Sequence, residues 1–374
     1  MAGIYIHIPF CKTKCHYCNF FSVVSNRYQP RFVQKLLQEL ERQKNYLKEE
    51  QITTIYIGGG TPSLIDIQGI NDLLTAVFDH FTVDESAEIT LEANPDDVNA
   101  DWIGKLKDSA VNRLSLGVQS FFDEDLKYLN RVHNASQALD AVGLLYQGGY
   151  SNLSIDLIYG IPGLTLKRWK KNLETFLSMG IPHLSAYALT VEPKTALETL
   201  IRKNKIKPPE EKDAVSHFKA LQEMMGASGY IHYEISNFAL EGAYSKHNSL
   251  YWTGGHYLGL GPSAHSYNGH SRRWNKSSMK DWFALDEYFN ESFEEEILST
   301  DQRFNEYIMT SLRTVWGCDQ SMVMQAFGEA YQKHLLLHIQ KHILEGMIEE
   351  KEGRFYLTLK GKLFADGIAA DLFK

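Results

Sequence analysis

Ile4-Tyr5-Ile6-His7-Ile8-Pro9-Phe10-Cys11-Lys12-Thr13-Lys14-Cys15-His16-Tyr17-Cys18 is the stretch that decides the fold. Ile4–Ile8 is a short β-rich run, read as the first strand. Three of the chain's four cysteines follow it within eight residues. In a compartment that keeps thiols reduced, such a cluster suggests metal rather than disulfides. Three thiolates on one tight loop can bind three irons of a cubane cluster, whose complete protein shell needs four. The remaining iron is then open to a ligand. The same residues also allow a structural zinc site with His16 or Cys318 as the fourth ligand. Zinc thiolates, however, usually come as two close pairs, and there is no second pair. Cys318 stands alone in a segment read as helical, where a buried small side chain is expected.

Working outward, a β-rich run, a polar or glycine turn and a helical stretch repeat along the first half. Strands are expected at Ile4–Ile8, Ile52–Ile57, Glu88–Glu92, Arg113–Val118, Asn152–Ile158 and His183–Leu189. Amphipathic stretches lie between them, such as Arg31–Leu47 with Phe32, Leu36, Leu40 and Leu47 at helical spacing. Six β–α units in series imply a parallel sheet, because each return needs a crossover. Six is fewer than the eight of a closed barrel. The expected fold class is therefore α/β, a partial (β/α)6 TIM-like barrel over residues 1–208. Residues 209–298 change character: a helix over Lys212–Gly226 precedes a Tyr/His/Gly-rich stretch, Tyr230–Trp274, expected to be irregular. Residues 299–374 return to helices, with a hairpin at Ile348–Thr358, in an order resembling a small winged-helix-like unit.

Composition narrows the function classes. The 374 residues are 44% hydrophobic and 22% charged, an ordinary globular mix. A formal net charge of -8 repels phosphate backbones, so nucleic-acid binding is not expected. The winged-helix-like unit has nine Lys/Arg against ten Asp/Glu from Asp301 onward, which reads as a packing or lid domain. No signal peptide and no bilayer-spanning run is evident, so a cytoplasmic protein is expected.

Binding residues gather at the C-terminal ends of the strands in parallel α/β barrels. The second strand ends in Gly58-Gly59-Gly60-Thr61-Pro62, where glycines let a ligand approach the backbone. Glu92, Gln119 and Asp156 lie on otherwise apolar strands, a costly placement unless they are satisfied or functional. Together they suggest a polar ring around one cavity.

These motifs resemble the radical S-adenosylmethionine (SAM) superfamily, and within it the oxygen-independent coproporphyrinogen III oxidase family with its heme-chaperone branch. The resemblance rests on Tyr5-Ile-His-Ile-Pro-Phe-Cys11, Gly58-Gly-Gly-Thr-Pro62, Arg113-Leu-Ser-Leu-Gly-Val-Gln119-Ser-Phe121, Leu129-Asn-Arg131 and Ile155-Asp-Leu-Ile-Tyr-Gly160. It implies a [4Fe-4S] cluster on Cys11, Cys15 and Cys18, with SAM chelating the fourth iron. It further implies SAM contacts from Tyr5, Tyr17, Gly59, Gly60, Thr61, Glu92, Gln119, Arg131 and Asp156.

Two functions share this fold: oxidative decarboxylation of coproporphyrinogen III to protoporphyrinogen IX, and carriage of heme to acceptor proteins, with respiratory hemoproteins a candidate class. The decarboxylases resemble Cys-x3-Cys-x-Phe-Cys-x-Cys, whereas Phe20 occupies the last position here. They also carry a leader before the first strand, which is not expected in this chain. Lys246-His247-Asn248-Ser249-Leu250-Tyr251-Trp252 matches a His-Asn-x-x-Tyr-Trp motif associated with the heme chaperones. A neutral imidazole is a good axial ligand for heme iron, and Tyr251 and Trp252 could stack on a macrocycle. The expected function is thus heme chaperone, with heme contacted near His247 and with His256, His265 and His270 of the same stretch as alternative contacts.

Overall fold

The computed structural model describes residues 2–25, 27–48, 50–284 and 293–374. Six parallel strands run in chain order: β1 (Ala2–Ile8), β2 (Ile52–Gly59), β3 (Val83–Ala93), β4 (Arg113–Gln119), β5 (Leu153–Tyr159) and β6 (His183–Ala188). Helices Gln29–Gln43, Ile67–His80, Ala100–Leu106, Ala135–Gln147 and Leu166–Ser178 return the chain between them. Side chains alternate across each strand. Ile4, Ile6, Ile55, Ile57, Leu114, Leu116, Ile155 and Leu157 join one buried apolar cluster with Leu36, Leu73, Leu145 and Trp169 of the helices. The alternate positions are polar. His183, on β6, is hydrogen-bonded to Ser154 at 2.7 Å, and Arg113 lies 3.7 Å from Glu88. A closed barrel of eight strands packs its interior with branched apolar side chains. Here the inner face is instead a polar surface.

The Tyr230–Trp274 stretch is not irregular, and that expectation is corrected. It adds β7 (Ile231–Glu234) and β8 (Asn237–Ala239) at one edge, with β8 antiparallel to β6. At the other edge β9 (His256–Leu260) lies parallel to β1 as a seventh parallel strand. Then β10 (His265–Tyr267), β11 (Ser271–Asn275) and β12 (Phe293–Ile297) meander outward. These strands are only three to five residues long, so the usual alternation has little room to appear. Gly259 is required inside β9, because a Cβ there would sit 2.0 Å from the His265 carbonyl oxygen. Among the described residues the twelve strands run β12-β11-β10-β9-β1-β2-β3-β4-β5-β6-β8-β7, so the barrel is open. Buried Glu39 ties this extension to helix Gln29–Gln43. Its carboxylate accepts from Gly261 N–H at 2.8 Å, Asn275 Nδ2 at 2.6 Å and Trp282 Nε1 at 2.9 Å.

The C-terminal residues have their own core, built from Phe304, Ile308, Leu312, Val323, Leu335, Ile339 and Phe355. Helices Thr300–Leu312, Gln320–Phe327, Glu329–Leu344 and Ala365–Asp371 surround a three-stranded sheet of β13 (Cys318–Asp319), β14 (Ile348–Lys351) and β15 (Arg354–Leu357). Cys318 is fully buried, but it lies on β13 and not in a helix; its pairing with Phe355 is too short a ladder to leave a sequence signal. Among the described residues no helix is long and apolar enough to cross a membrane.

Candidate functional site

The loop after β1 is held from several sides. Cys11 N–H donates to the Val23 carbonyl at 3.1 Å, and His16 N–H to Leu129 O at 3.1 Å. The His16 carbonyl accepts from Leu197 N–H at 2.7 Å, and the Lys14 carbonyl from Asn130 Nδ2 at 2.9 Å. Lys12 is paired with Asp96 at 2.7 Å and also with Asp97. His16 Nδ1–H is spent on the Tyr128 carbonyl at 2.9 Å. The three thiols are thereby presented to one cavity of about 440 Å³ at the C-terminal mouth of the barrel.

The same cavity is lined by Tyr5, Tyr17, Gly59, Gly60, Thr61, Glu92, Gln119, Arg131 and Asp156, so the residues singled out from the sequence do converge. Glu92 accepts from the Tyr56 hydroxyl at 2.7 Å and from Gly59 N–H at 3.0 Å. Arg131 reaches Cys15 Sγ at 3.4 Å, Asn94 Oδ1 at 2.5 Å and the Gly117 carbonyl at 2.8 Å. Asn94 in turn donates to Thr61 Oγ1 at 3.1 Å. Gln119 sits in the left-handed region at φ 69, an uncommon conformation for a residue with a Cβ and one that clusters at functional sites. Tyr5 donates to His7 Nδ1 at 3.0 Å, whose Nε2–H is given to Phe21 O at 2.9 Å.

Burial sets the electrostatics. It pushes the Glu92 carboxyl up to about 7, with the Tyr56 hydrogen bond pulling against it and the Asp156 charge adding to it. Burial likewise raises Asp156 to about 6. The Cys11 thiol is held up by burial, and Cys18 to about 11 for the same reason. Burial opposes the charge of Arg131, but Tyr17, Cys15 and Asp96 more than offset that. A cationic partner would favour the ionised form of every one of these acids.

Asn94, Gly117 and Tyr56 escaped the sequence reading. Asn94 had a signal, since it ends an apolar strand directly before Pro95. Gly117 makes room: a Cβ there would lie 3.1 Å from Gln119 Nε2 and 3.3 Å from Arg131 Nη2. Gly60 is needed less for a ligand than for the cysteine loop, because a Cβ would meet Cys11 Sγ at 2.9 Å.

A second cavity, of about 910 Å³, opens beside the first and shares Tyr5, Asn19, Phe20, Glu92 and Tyr187 with it. His247 borders it but presents no free nitrogen. Nδ1 is bonded to Thr54 Oγ1 at 2.8 Å and Nε2 to the Tyr251 hydroxyl at 2.8 Å, and the residue is 1% exposed. Burial lowers its pKa to about 3, with Arg113 acting in the same direction. In this arrangement His247 offers heme iron no free ring nitrogen. Its ring docks helix Lys246–Trp252 onto β2, and the backbone N–H groups of Lys246 and His247 donate to Glu88, each at 3.1 Å.

Comparison with known proteins accords with this geometry. Residues 5–176 match the family model of the Radical SAM superfamily, and 298–364 that of the HemN C-terminal domain. Over 98% of its length the chain is 34% identical to the heme chaperone HemW of Bacillus subtilis (strain 168), covering 98% of that protein. It is 34% identical to HemW of Lactococcus lactis subsp. lactis (strain IL1403), over 96% of this chain and 93% of the relative. With HemW of Escherichia coli (strain K12) the identity is 32%, over 98% and 96%. The solved coproporphyrinogen III oxidase HemN of Escherichia coli superimposes with a TM-score of 0.86 at 22% identity, over 100% of this chain and 90% of that one, and so shares the fold. Radical SAM membership implies a [4Fe-4S] cluster and SAM. Identity of this extent over almost the whole length places the chain in the HemW family of the radical SAM superfamily.

Proposed function

We propose that this protein is a heme chaperone: it holds a [4Fe-4S] cluster and SAM at the barrel mouth, binds heme, and hands the heme to an acceptor, with respiratory hemoproteins a candidate class. The full-length relatives named as heme chaperones support this reading. The observation that carries it over a decarboxylase is Phe20. The side chain two residues after Cys18 is a phenyl ring, 64% exposed on the wall between the two cavities, and offers no fourth thiol.

Cys11, Cys15 and Cys18 would hold the cluster. Cys318 belongs to the separate C-terminal core. All three thiols line one cavity, which suits a cubane held by three protein sulfurs. The chemistry such a cluster supplies when reduced is one-electron cleavage of SAM. Arg131 would steady the Cys15 sulfur and fix Asn94, while Gly59, Thr61, Gln119, Tyr5 and Tyr17 would shape the SAM seat. Glu92 and Asp156 would face its positive charge.

SAM binding is expected to weaken with acid. Glu92 titrates near 7, so it is ionised above that value and loses its charge as pH falls through it. Affinity for the cationic ligand should drop about tenfold between about pH 8 and about pH 6. Equilibrium dialysis of labelled SAM against the cluster-loaded protein measures this. A flat profile would remove Glu92 from the binding surface.

The function itself is tested by giving anaerobically assembled protein hemin in one series, and coproporphyrinogen III with SAM and reductant in another. Heme binding without porphyrinogen conversion is expected. Robust formation of protoporphyrinogen would overturn the chaperone reading.

A further inference from the structure

The second cavity lies between β9–β11 and the C-terminal helices, and only its shared wall separates it from the cysteine cavity. Its size, about 910 Å³, lies toward the upper end of ordinary ligand pockets and leaves room for a large cofactor. Three histidines line it: His7, His247 and His265. The first two have both ring nitrogens occupied. His265 differs. It is exposed, and among the described residues nothing hydrogen-bonds either of its nitrogens.

An aromatic neighbour flanks its ring. Trp274, its register partner on β11, stacks against it at 6.0 Å with 25° between the planes. Trp274 is itself fixed by Nε1–H donated to Glu294 at 3.2 Å. Two arginines also line the cavity, and they are not equivalent. Arg272 is spent on Glu306 at 2.9 Å and on the Tyr257 hydroxyl at 2.9 Å. Arg303 makes one long bond, 3.4 Å, to Thr300 Oγ1, and its buried Nε has no partner among the described residues. An unsatisfied buried guanidinium nitrogen is costly, and a ligand carboxylate would relieve it.

We propose that heme seats in this second cavity with the His265 imidazole as an axial ligand to its iron and Arg303 against a propionate. The assignment rests on the heme-chaperone reading and adds to it where heme sits and what grips it. A neutral imidazole with a free nitrogen, carried on strand β10, is the donor that heme iron takes. The shared wall of Tyr5, Phe20, Glu92 and Tyr187 would then bring heme beside the SAM seat.

The test uses the full chain with its cluster assembled, titrated anaerobically with hemin and followed by difference absorption and low-temperature EPR. Iron and sulfide content before titration confirms that each variant is folded. His265→Ala should weaken binding by about tenfold or more and lose the imidazole-ligated spectrum, which added free imidazole restores. Arg303→Ala should weaken binding and keep that spectrum. His270→Ala, outside the cavity, should match the wild type. Heme binding by the wild type with unchanged affinity and spectrum in His265→Ala would overturn this assignment and leave the chaperone reading standing. A wild type that binds no heme would overturn both.

Discussion

Replacing any one of Cys11, Cys15 or Cys18 by alanine is expected to leave anaerobically assembled protein with almost no cluster iron, in a chain that still folds. A cubane held by three protein thiolates has none to spare. The cost to the fold is small because the three side chains are only partly buried and face a cavity rather than the core. Cys318→Ala provides the contrast. That thiol is fully buried among Phe304, Leu312 and Phe355. Its removal should cost about 1–2 kcal/mol of stability through the small void it leaves, with iron content unchanged. Iron and sulfide per chain, alongside a thermal melt, separate the two outcomes. Normal iron in all three single variants would mean that the metal sits elsewhere.

Gly60→Ala should be nearly as damaging to the cluster, by a different route. A Cβ at position 60 would stand 2.7 Å from the Phe10 carbonyl oxygen, 2.9 Å from Cys11 Sγ and 3.0 Å from the Ile8 carbonyl oxygen. Two of these neighbours are backbone and cannot rotate aside. Gly60 N–H also donates to Ile8 O at 2.7 Å, which joins the end of β2 to the end of β1. The methyl group must therefore push the first cysteine off its strand end. About 1–3 kcal/mol of destabilisation is expected from overpacking, with most of the iron lost. Gly104→Ala, on helix Ala100–Leu106 with nothing within 4 Å of its Cβ, should instead gain about 0.5–1 kcal/mol. Denaturant unfolding and iron content read both. Wild-type iron in Gly60→Ala would show that the close packing is not needed to place Cys11.

The six parallel strands were legible because their apolar runs recur with helices between them, a pattern that physics answers with one topology. Glu92, Gln119 and Asp156 were legible for a related reason: a polar group on an apolar strand has to be satisfied, and a cavity wall is where that happens. The role of Gly60 was half visible. The sequence suggested an open backbone, and the structure adds the sulfur that needs the space. Strand β9 was not visible, since Tyr257–Leu260 is buried throughout and carries no alternation. Nor could the motif around His247 disclose that both of its ring nitrogens are taken, one by Thr54, which is 193 residues away in the chain. Whether a histidine is a ligand or a dock depends on such distant partners, and spacing does not encode them.

The most direct measurement is metal and sulfide analysis of protein assembled without oxygen, combined with EPR of the reduced sample before and after SAM is added. Three thiols at a barrel mouth ringed by Glu92, Arg131 and Asp156 predict about four irons and four sulfides per chain, and a cluster signal that changes when SAM occupies the open iron. Zinc without iron, or a cluster spectrum indifferent to SAM, would contradict the account.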